Sequence, residues 1–501
     1  MRRLVPSVLP LLLAAACAGE TVDDAGLPAD TGADAGITTD TGVDSGTPAD
    51  SGADAGIEDA GDMDSGTTDG GFTPPEYGRW VKFEPPGAVC SNGSQYKFFV
   101  NFSRTSENVV IFMEGGGACW DYASCTGTGI RSAANPNGIR DNHASALTNM
   151  GGINIPADAV YPLLNASPDV SPMAEWNKVF IPYCTGDVYS GDRVVTYSDP
   201  AGVEPDVEFH HVGHRNILRT VEMLNTMFTS IPKMFLGGCS AGGAGAVINY
   251  HTFRSGLNVE KGYLLDDSGP IYPDQAEVAW SLPLHERVRA SWNVDPLIEA
   301  APMSQDILQD FGALNRVLAQ TYPNDRLALT QFRLDYNYSL YSYERFYEVD
   351  GETGDIVPFG DGMGLGGLGL DEAVADDRAA VYQMWWDDTS LMRSEYDTYP
   401  NLAYFMPFYR DTNSSHCLTI PGFGEFPQDE LLNLFINDFA TLAWAGTNVG
   451  TSTASMNIRG FVDHLLDDGA PLMSAFEETP EGPYQSCTPD FYDAAACAAA
   501  N

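Results

Sequence analysis

The stretch Lys233-Met234-Phe235-Leu236-Gly237-Gly238-Cys239-Ser240-Ala241-Gly242-Gly243, followed by Ala244-Gly245-Ala246-Val247-Ile248-Asn249-Tyr250, decides the reading of this chain. Lys233–Leu236 is a short apolar run with strand character, and Ala244–Tyr250 reads as a helix. Between them lies Gly238-Cys239-Ser240-Ala241-Gly242, a Gly-x-Ser-x-Gly pattern. The five residues alone fit any glycine-rich turn. Set between a strand and a helix, they describe a serine on a sharp, strained bend, with glycines removing the side chains that would clash there. The hydroxyl of Ser240 then stands above the sheet as a nucleophile. The first amides of the new helix point at the oxyanion that develops on attack. Cys239 is not the nucleophile, because the bend presents the next residue. It reads as a small buried apolar residue that stays free.

Outward from this bend, short apolar runs ending in glycine-rich or polar turns alternate with helix-like stretches. Strands are expected at Asn108–Met113, Lys178–Pro182, Tyr263–Leu265 and Leu327–Phe332, and a helix at Asn216–Met227. This alternation predicts an α/β fold, a mostly parallel sheet covered by helices in the manner of an α/β-hydrolase. Residues 345–400 are rich in Gly and Asp, carry Trp385 and Trp386, and read as an insertion or lid.

In such a fold the acid and the base follow the serine in the order Ser, Asp or Glu, His. Of the eight histidines, His143, His210, His211 and His214 precede Ser240. His251 and His285 come before the best acid. His416, in the polar Asn413-Ser414-Ser415-His416-Cys417, suits a base on a late loop, whereas His464 sits in a helical pattern. Asp335 follows a late strand and is the expected acid, with Asp266 or Asp267 as the runner-up. Those two lie one strand earlier and are expected to hold turns or substrate. Ala241 supplies one oxyanion donor, and the loop Gly115-Gly116-Gly117, after an earlier strand, offers others.

Taken together, these segments resemble the pectin acetylesterase and Notum family. The resemblance rests on Cys90-Ser91-Asn92-Gly93-Ser94, Phe112-Met113-Glu114-Gly115-Gly116-Gly117-Ala118-Cys119, Ile181-Pro182-Tyr183-Cys184-Thr185-Gly186-Asp187-Val188, Gly238–Gly243 and Asp267-Ser268-Gly269, all in family order. It covers roughly residues 77–270 well and the remainder more loosely. It implies a metal-free carboxylester hydrolase with no cofactor, with Ser240, Asp335 and His416 as its triad. Gly116, Gly117 and Ala241 would be its oxyanion donors. Some members release acetate from pectin, and Notum removes a palmitoleate from a signalling protein. The family often has a Trp directly after the glycines; here Ala118 follows and Trp120 is displaced, which alters the expected acyl pocket. The resemblance also implies that Cys90 and Cys184 pair.

The ends of the chain point to export. Arg2 and Arg3 precede the apolar run Leu4–Leu13, too short to span a bilayer, so residues 1–16 read as a signal peptide. Ala14-Ala15-Ala16-Cys17 resembles a lipobox, with Cys17 as the lipidated residue; cleavage by an ordinary signal peptidase is the alternative. Residues 17–75 form an acidic linker, with Asp-Ala-Gly and Asp-Ser-Gly recurring from Glu20 to Gly71 and no Lys, Arg or aromatic residue in that run. Such a segment stays disordered, and about 50 residues of it span roughly 40 Å as a coil. The Asp-x-Asp-x-Asp-Gly spacing of calcium loops is missing from it. Residues 76–501 are the expected esterase domain. The expected location is an outer membrane or cell surface, reached through the lipid anchor, or the medium. The expected state is a monomer.

Nine cysteines include Cys17; the other eight suit disulfides in an oxidising compartment. Cys119 and Cys125 are close neighbours, and Cys487 and Cys497 would staple the tail. The formal charge of −44 repels nucleic acid and anionic membranes. It also disfavours a charged pectate backbone, though not neutral acetylated sugars. Three functions compete: a deacetylase of acylated carbohydrate, a deacylase of lipid or protein with a longer chain, and a catalytically silent surface binding protein on the same fold.

Overall fold

The computed structural model describes residues 72–478, apart from short stretches at 128–131, 151–152, 275–277, 364–366, 369–374, 411–414, 423–425 and 451–454. The expected signal peptide, Cys17, nearly all of the expected linker, Cys487 and Cys497 lie outside the described residues. From Pro74 onward the described residues belong to one compact unit.

Its centre is a nine-stranded sheet. In chain order the strands are β1 (Trp80–Phe83), β2 (Phe98–Asn101), β3 (Val109–Met113), β4 (Asn177–Ile181), β5 (Ile231–Cys239), β6 (Val259–Asp267), β7 (Arg326–Thr330), β8 (Leu402–Met406) and β9 (Ala475–Phe476). Their spatial order is β1-β2-β4-β3-β5-β6-β7-β8-β9. All pairs from β4 to β9 are parallel, and β2 runs antiparallel to both of its neighbours. The central strands are buried along their whole length, so they read as continuous apolar runs without alternation. The expected mostly parallel α/β sheet is therefore present. Strand β5 is longer than its apolar run, because Gly237, Gly238 and Cys239 continue the ladder up to the serine.

Parallel register brings the carboxyl ends of the strands to one edge. Met113 lies opposite Gly238, Cys239 opposite Asp267, and Asp267 opposite Thr330, which in turn lies opposite Phe405. The loops leaving β3, β5, β6, β7 and β8 thus emerge side by side, where open α/β sheets place their ligand sites.

Five helices matter to this edge: α1 (Gly213–Met227), α2 (Ala241–Gly256), α3 (Tyr336–Tyr343), α4 (Ala375–Tyr396) and α5 (Ile458–Leu466). Much of residues 345–400 is helix α4 rather than a loose lid. Trp385 is fully buried against Tyr272. The indoles of Trp385 and Trp386 donate to the carbonyls of Phe332 and Arg333, at 3.3 and 2.8 Å. Those two bonds fasten α4 to the chain just after β7. A two-stranded hairpin, Tyr347–Val349 with Ile356–Pro358, precedes it.

A second hairpin, Arg193–Tyr197 with Val207–His211, ends in a buried histidine. His211 Nδ1 donates to the Thr185 carbonyl at 3.0 Å, and Nε2 accepts from the Tyr197 hydroxyl at 2.8 Å. Both nitrogens are satisfied in the neutral ring, and burial, which penalises the charged form, pushes its pKa from 6.5 down to about 3. The unfolded chain therefore takes up this proton first as pH falls, and stability is lost between pH 6.5 and about 3. Buried Asp187, raised to about 6 by desolvation, acts in the opposite sense. Comparison with a His211→Gln variant isolates the histidine. Urea unfolding should show wild type losing roughly 2–3 kcal/mol relative to the variant between pH 6.5 and 4.5. Parallel curves for the two proteins would overturn this assignment.

Candidate active site

Ser240 sits between β5 and α2 with φ 58° and ψ −124°, a conformation that L-residues avoid. The chain can make this bend because Gly238 and Gly242 pass very close to neighbouring backbone. A Cβ on Gly238 would stand 2.4 Å from the Gly242 carbonyl oxygen, and one on Gly242 would stand 2.1 Å from that of Met113. The bend is thereby pressed onto the end of β3. It is held by the Ser240 amide donating to the Asp267 carbonyl at 2.7 Å and the Ala244 amide donating to the Ser240 carbonyl at 3.0 Å.

Asp335 is fully buried and divides its two oxygens between two tasks. Oδ1 caps α3 by accepting from the amides of Asn337 and Tyr338, at 3.0 and 2.9 Å. Oδ2 accepts from His416 Nδ1 at 2.8 Å. The cap fixes the carboxylate, and the carboxylate fixes the imidazole tautomer, leaving Nε2 free of the proton. The backbone before Asp335 is itself held, by the Arg333 and Leu334 amides donating to Pro407 and Phe408 and by the two indoles of α4. The ring of Tyr338 stacks near that of His416, 6.3 Å between centroids.

His416 lies on a loop bound from below. Asp267 Oδ1 accepts from the Leu418 amide at 2.9 Å, and Oδ2 accepts from the amide and hydroxyl of Thr419 at 2.8 and 2.6 Å. Ser268 Oγ accepts from the Cys417 amide at 3.1 Å. Asp267 thus grips the backbone of the histidine loop, and its neighbour Asp266 accepts from the Gly269 amide. Burial drives the carboxyl of Asp266 well above its ordinary range. His464 lies elsewhere, on α5, with Nε2 at the Pro471 carbonyl.

The expectation that Cys239 stays free is corrected. Cys239 is bonded to Cys417, 178 residues away, with Cα atoms 5.7 Å apart. The end of β5 and the histidine loop meet at the same sheet edge, a proximity that local sequence does not reveal. Cys90–Cys184 and Cys119–Cys125 are also bonded.

Gly117, Ala118, Ser240, Ala241, Tyr338 and His416 line one cavity. Gly117 (φ 69°) and Ala241 thus stand beside the serine, whereas Gly116 (φ 142°) is pressed against Ala134, where an added Cβ would meet another at 2.3 Å. The glycine loop is anchored by Glu114, a buried carboxylate. It accepts from the Tyr183 amide at 3.0 Å, from Asn135 Nδ2 at 3.0 Å, and from His143 Nε2 at 3.1 Å. Among the described residues the groups with metal-ligand geometry are Cys119, Cys125 and His211, and Cys239, His416 and Cys417. In both groups the sulfurs are tied up in disulfides.

The roles of Glu114, Asp267, Ser268, Trp385 and Trp386 in holding the site were not read from sequence. Glu114 and Asp267-Ser268 stood in the motifs already singled out, but only their hydrogen-bond partners disclose what they do.

A family described as Pectinacetylesterase matches residues 81–286. The palmitoleoyl-protein carboxylesterase NOTUM of Drosophila melanogaster is 26% identical over 218 residues, covering 41% of this chain and 30% of that protein. Pectin acetylesterase 5 of Arabidopsis thaliana is 30% identical over 184 residues, 34% of this chain and 36% of that one. The chain therefore spans about a third of the length of the curated relatives it matches. A solved structure of the Wnt deacylase Notum from Drosophila superposes with a TM-score of 0.44 and 15% identity, covering 77% of this chain and 92% of that one. The segment 81–286, which carries the glycine loop and the serine bend, is the part of this chain that is similar to the pectinacetylesterase family.

Proposed function

We propose that the protein is a serine carboxylester hydrolase acting by acyl transfer through Ser240, His416 and Asp335. The observation that carries this is the 2.8 Å bond from His416 Nδ1 to Asp335 Oδ2, with His416 and Ser240 lining one cavity. His416 Nε2 takes the proton of Ser240 as Oγ attacks the ester carbonyl. The oxyanion is stabilised by the Ala241 and Gly117 amides, with Gly116 as the third candidate donor. The alcohol leaves with the proton from His416, and water activated by the same nitrogen releases the acid. Asp335 stabilises the imidazolium that forms in each half.

The leading substrate class is the acetyl ester of a neutral carbohydrate outside the cell. The acidic composition, the family and three disulfides suited to an oxidising compartment support this. Export by a signal peptide, with Cys17 as anchor and residues 17–75 as tether, belongs to the same proposal. Among the described residues no helix is long and apolar enough to cross a membrane.

One observation favours the second reading, a longer acyl chain. Val188, Tyr338 and Tyr341 line both the cavity at the serine and a neighbouring one. That second chamber is walled largely by apolar side chains, among them Ile248, Ile271, Leu284, Val288, Trp292 and Phe311. An acetyl group has no use for such a chamber.

The test is hydrolysis of p-nitrophenyl acetate, butyrate and palmitate by the intact chain. Ser240→Ala should fall to background, and Asp335→Asn should keep the fold while losing about 10⁴-fold in kcat. An unimpaired Ser240→Ala variant would refute the mechanism.

Filling the chamber with Val288→Trp should separate the two substrate readings. It should cut kcat/KM for butyrate and palmitate about tenfold or more and spare acetate, if acyl chains occupy the chamber. Equal loss on all three esters would remove the longer-chain reading.

A further inference from the structure

The Cys239–Cys417 disulfide joins the residue before the proposed nucleophile to the residue after the proposed base. Both cysteines are fully buried. The hydrogen bonds of the histidine loop run to Asp267 and Ser268, at the end of β6. The disulfide runs instead to β5, the strand that carries Ser240 itself. It is therefore the covalent link between the two groups that must exchange a proton.

The backbone around it is held in unfavourable conformations. Ser240 has φ 58°, and the two residues flanking His416, Ser415 and Cys417, have φ 55° and 64°. None of the three is glycine, so each conformation persists only because its surroundings impose it. For Ser415 that is a pair of bonds between its hydroxyl and the backbone of Arg410. For Cys417 it is the Ser268 hydroxyl, the Arg410 guanidinium on its carbonyl, and the disulfide.

Resting on the esterase reading above, we infer that Cys239–Cys417 is a positioning pair for the reaction. It sets the reach from the Ser240 hydroxyl to His416 Nε2, and opening it lowers turnover while leaving substrate binding in place. The walls of the substrate cavity come largely from elsewhere, from Gly117, Ala118, Tyr338 and Tyr341. Displacement of a catalytic group by about 1 Å costs on the order of a hundredfold in rate. That loss falls on kcat, because the proton transfer occurs only on the way to the transition state.

The experiment uses the intact chain and its Cys239→Ala/Cys417→Ala variant with p-nitrophenyl acetate and butyrate. The variant should lose about 100-fold in kcat with KM within about threefold. Covalent labelling of Ser240 by a fluorophosphonate should slow in parallel, since that reaction also needs His416 to take the serine proton. A purely structural disulfide would lower the melting temperature and leave the kcat of the folded fraction and the labelling rate unchanged.

Should the variant fail to fold, folded wild type is treated with a trialkylphosphine. The phosphine is oxidised to its oxide with oxygen from water, the S–S bond breaks, and each sulfur leaves with one proton. Activity is read before the thiols are trapped and mapped by mass. Its loss should follow the opening of Cys239 and Cys417, whatever the order in which the other two bonds open. Full activity with both of these cysteines reduced overturns the inference and leaves the esterase reading intact. Wild type inert toward every ester overturns both.

Discussion

The carboxylate of Asp267 is the tie on which the site's geometry depends. It lies at the end of β6, between the strand that carries the serine and the strand that leads to the acid. Its oxygens accept two amides and a hydroxyl from Leu418 and Thr419. Burial pushes its carboxyl upward, and the bonds it accepts push back by favouring the ionised form. Without those partners a charge at this depth would cost several kcal/mol. The loop following β8 therefore has one low-energy seat on the sheet edge, and His416 comes with it.

Sheet and site differ in how far they could be read from sequence. The central strands are buried on both faces, so they appear as short unbroken apolar runs, such as Val109–Met113 and Leu327–Leu329, bounded by polar or glycine-rich turns. The serine bend announces itself through glycines that tolerate backbone at 2.1–2.4 Å from their missing Cβ. Asp335 and His416 could be chosen by chain order and by their place on polar segments after late strands. Their contact, across 81 residues, comes only from the fold.

What stayed hidden has a common cause. Cys239 looks like any small apolar residue because its partner is 178 positions away. Helix α4 has apolar and polar residues mixed around its circumference, so residues 345–400 give no clear helical stripe. Its two tryptophans are held by indole donors to carbonyls near Asp335, contacts with no sequence signature. Glu114 is a charged residue in an apolar setting, and only its three donors explain why it is tolerated there.

Among the described residues the disulfides close two large covalent rings that do not overlap. One runs from Cys90 to Cys184, with the Cys119–Cys125 ring inside it, and carries the glycine loop. The other runs from Cys239 to Cys417 and contains Ser240, Asp335 and His416. A protease that nicks the exposed Gly351–Gly354 turn opens the second ring without releasing a fragment. The two fragments stay joined through Cys239 and Cys417, beside Ser240, so damage at the surface leaves the chain in one piece. That is a form of durability distinct from thermodynamic stability.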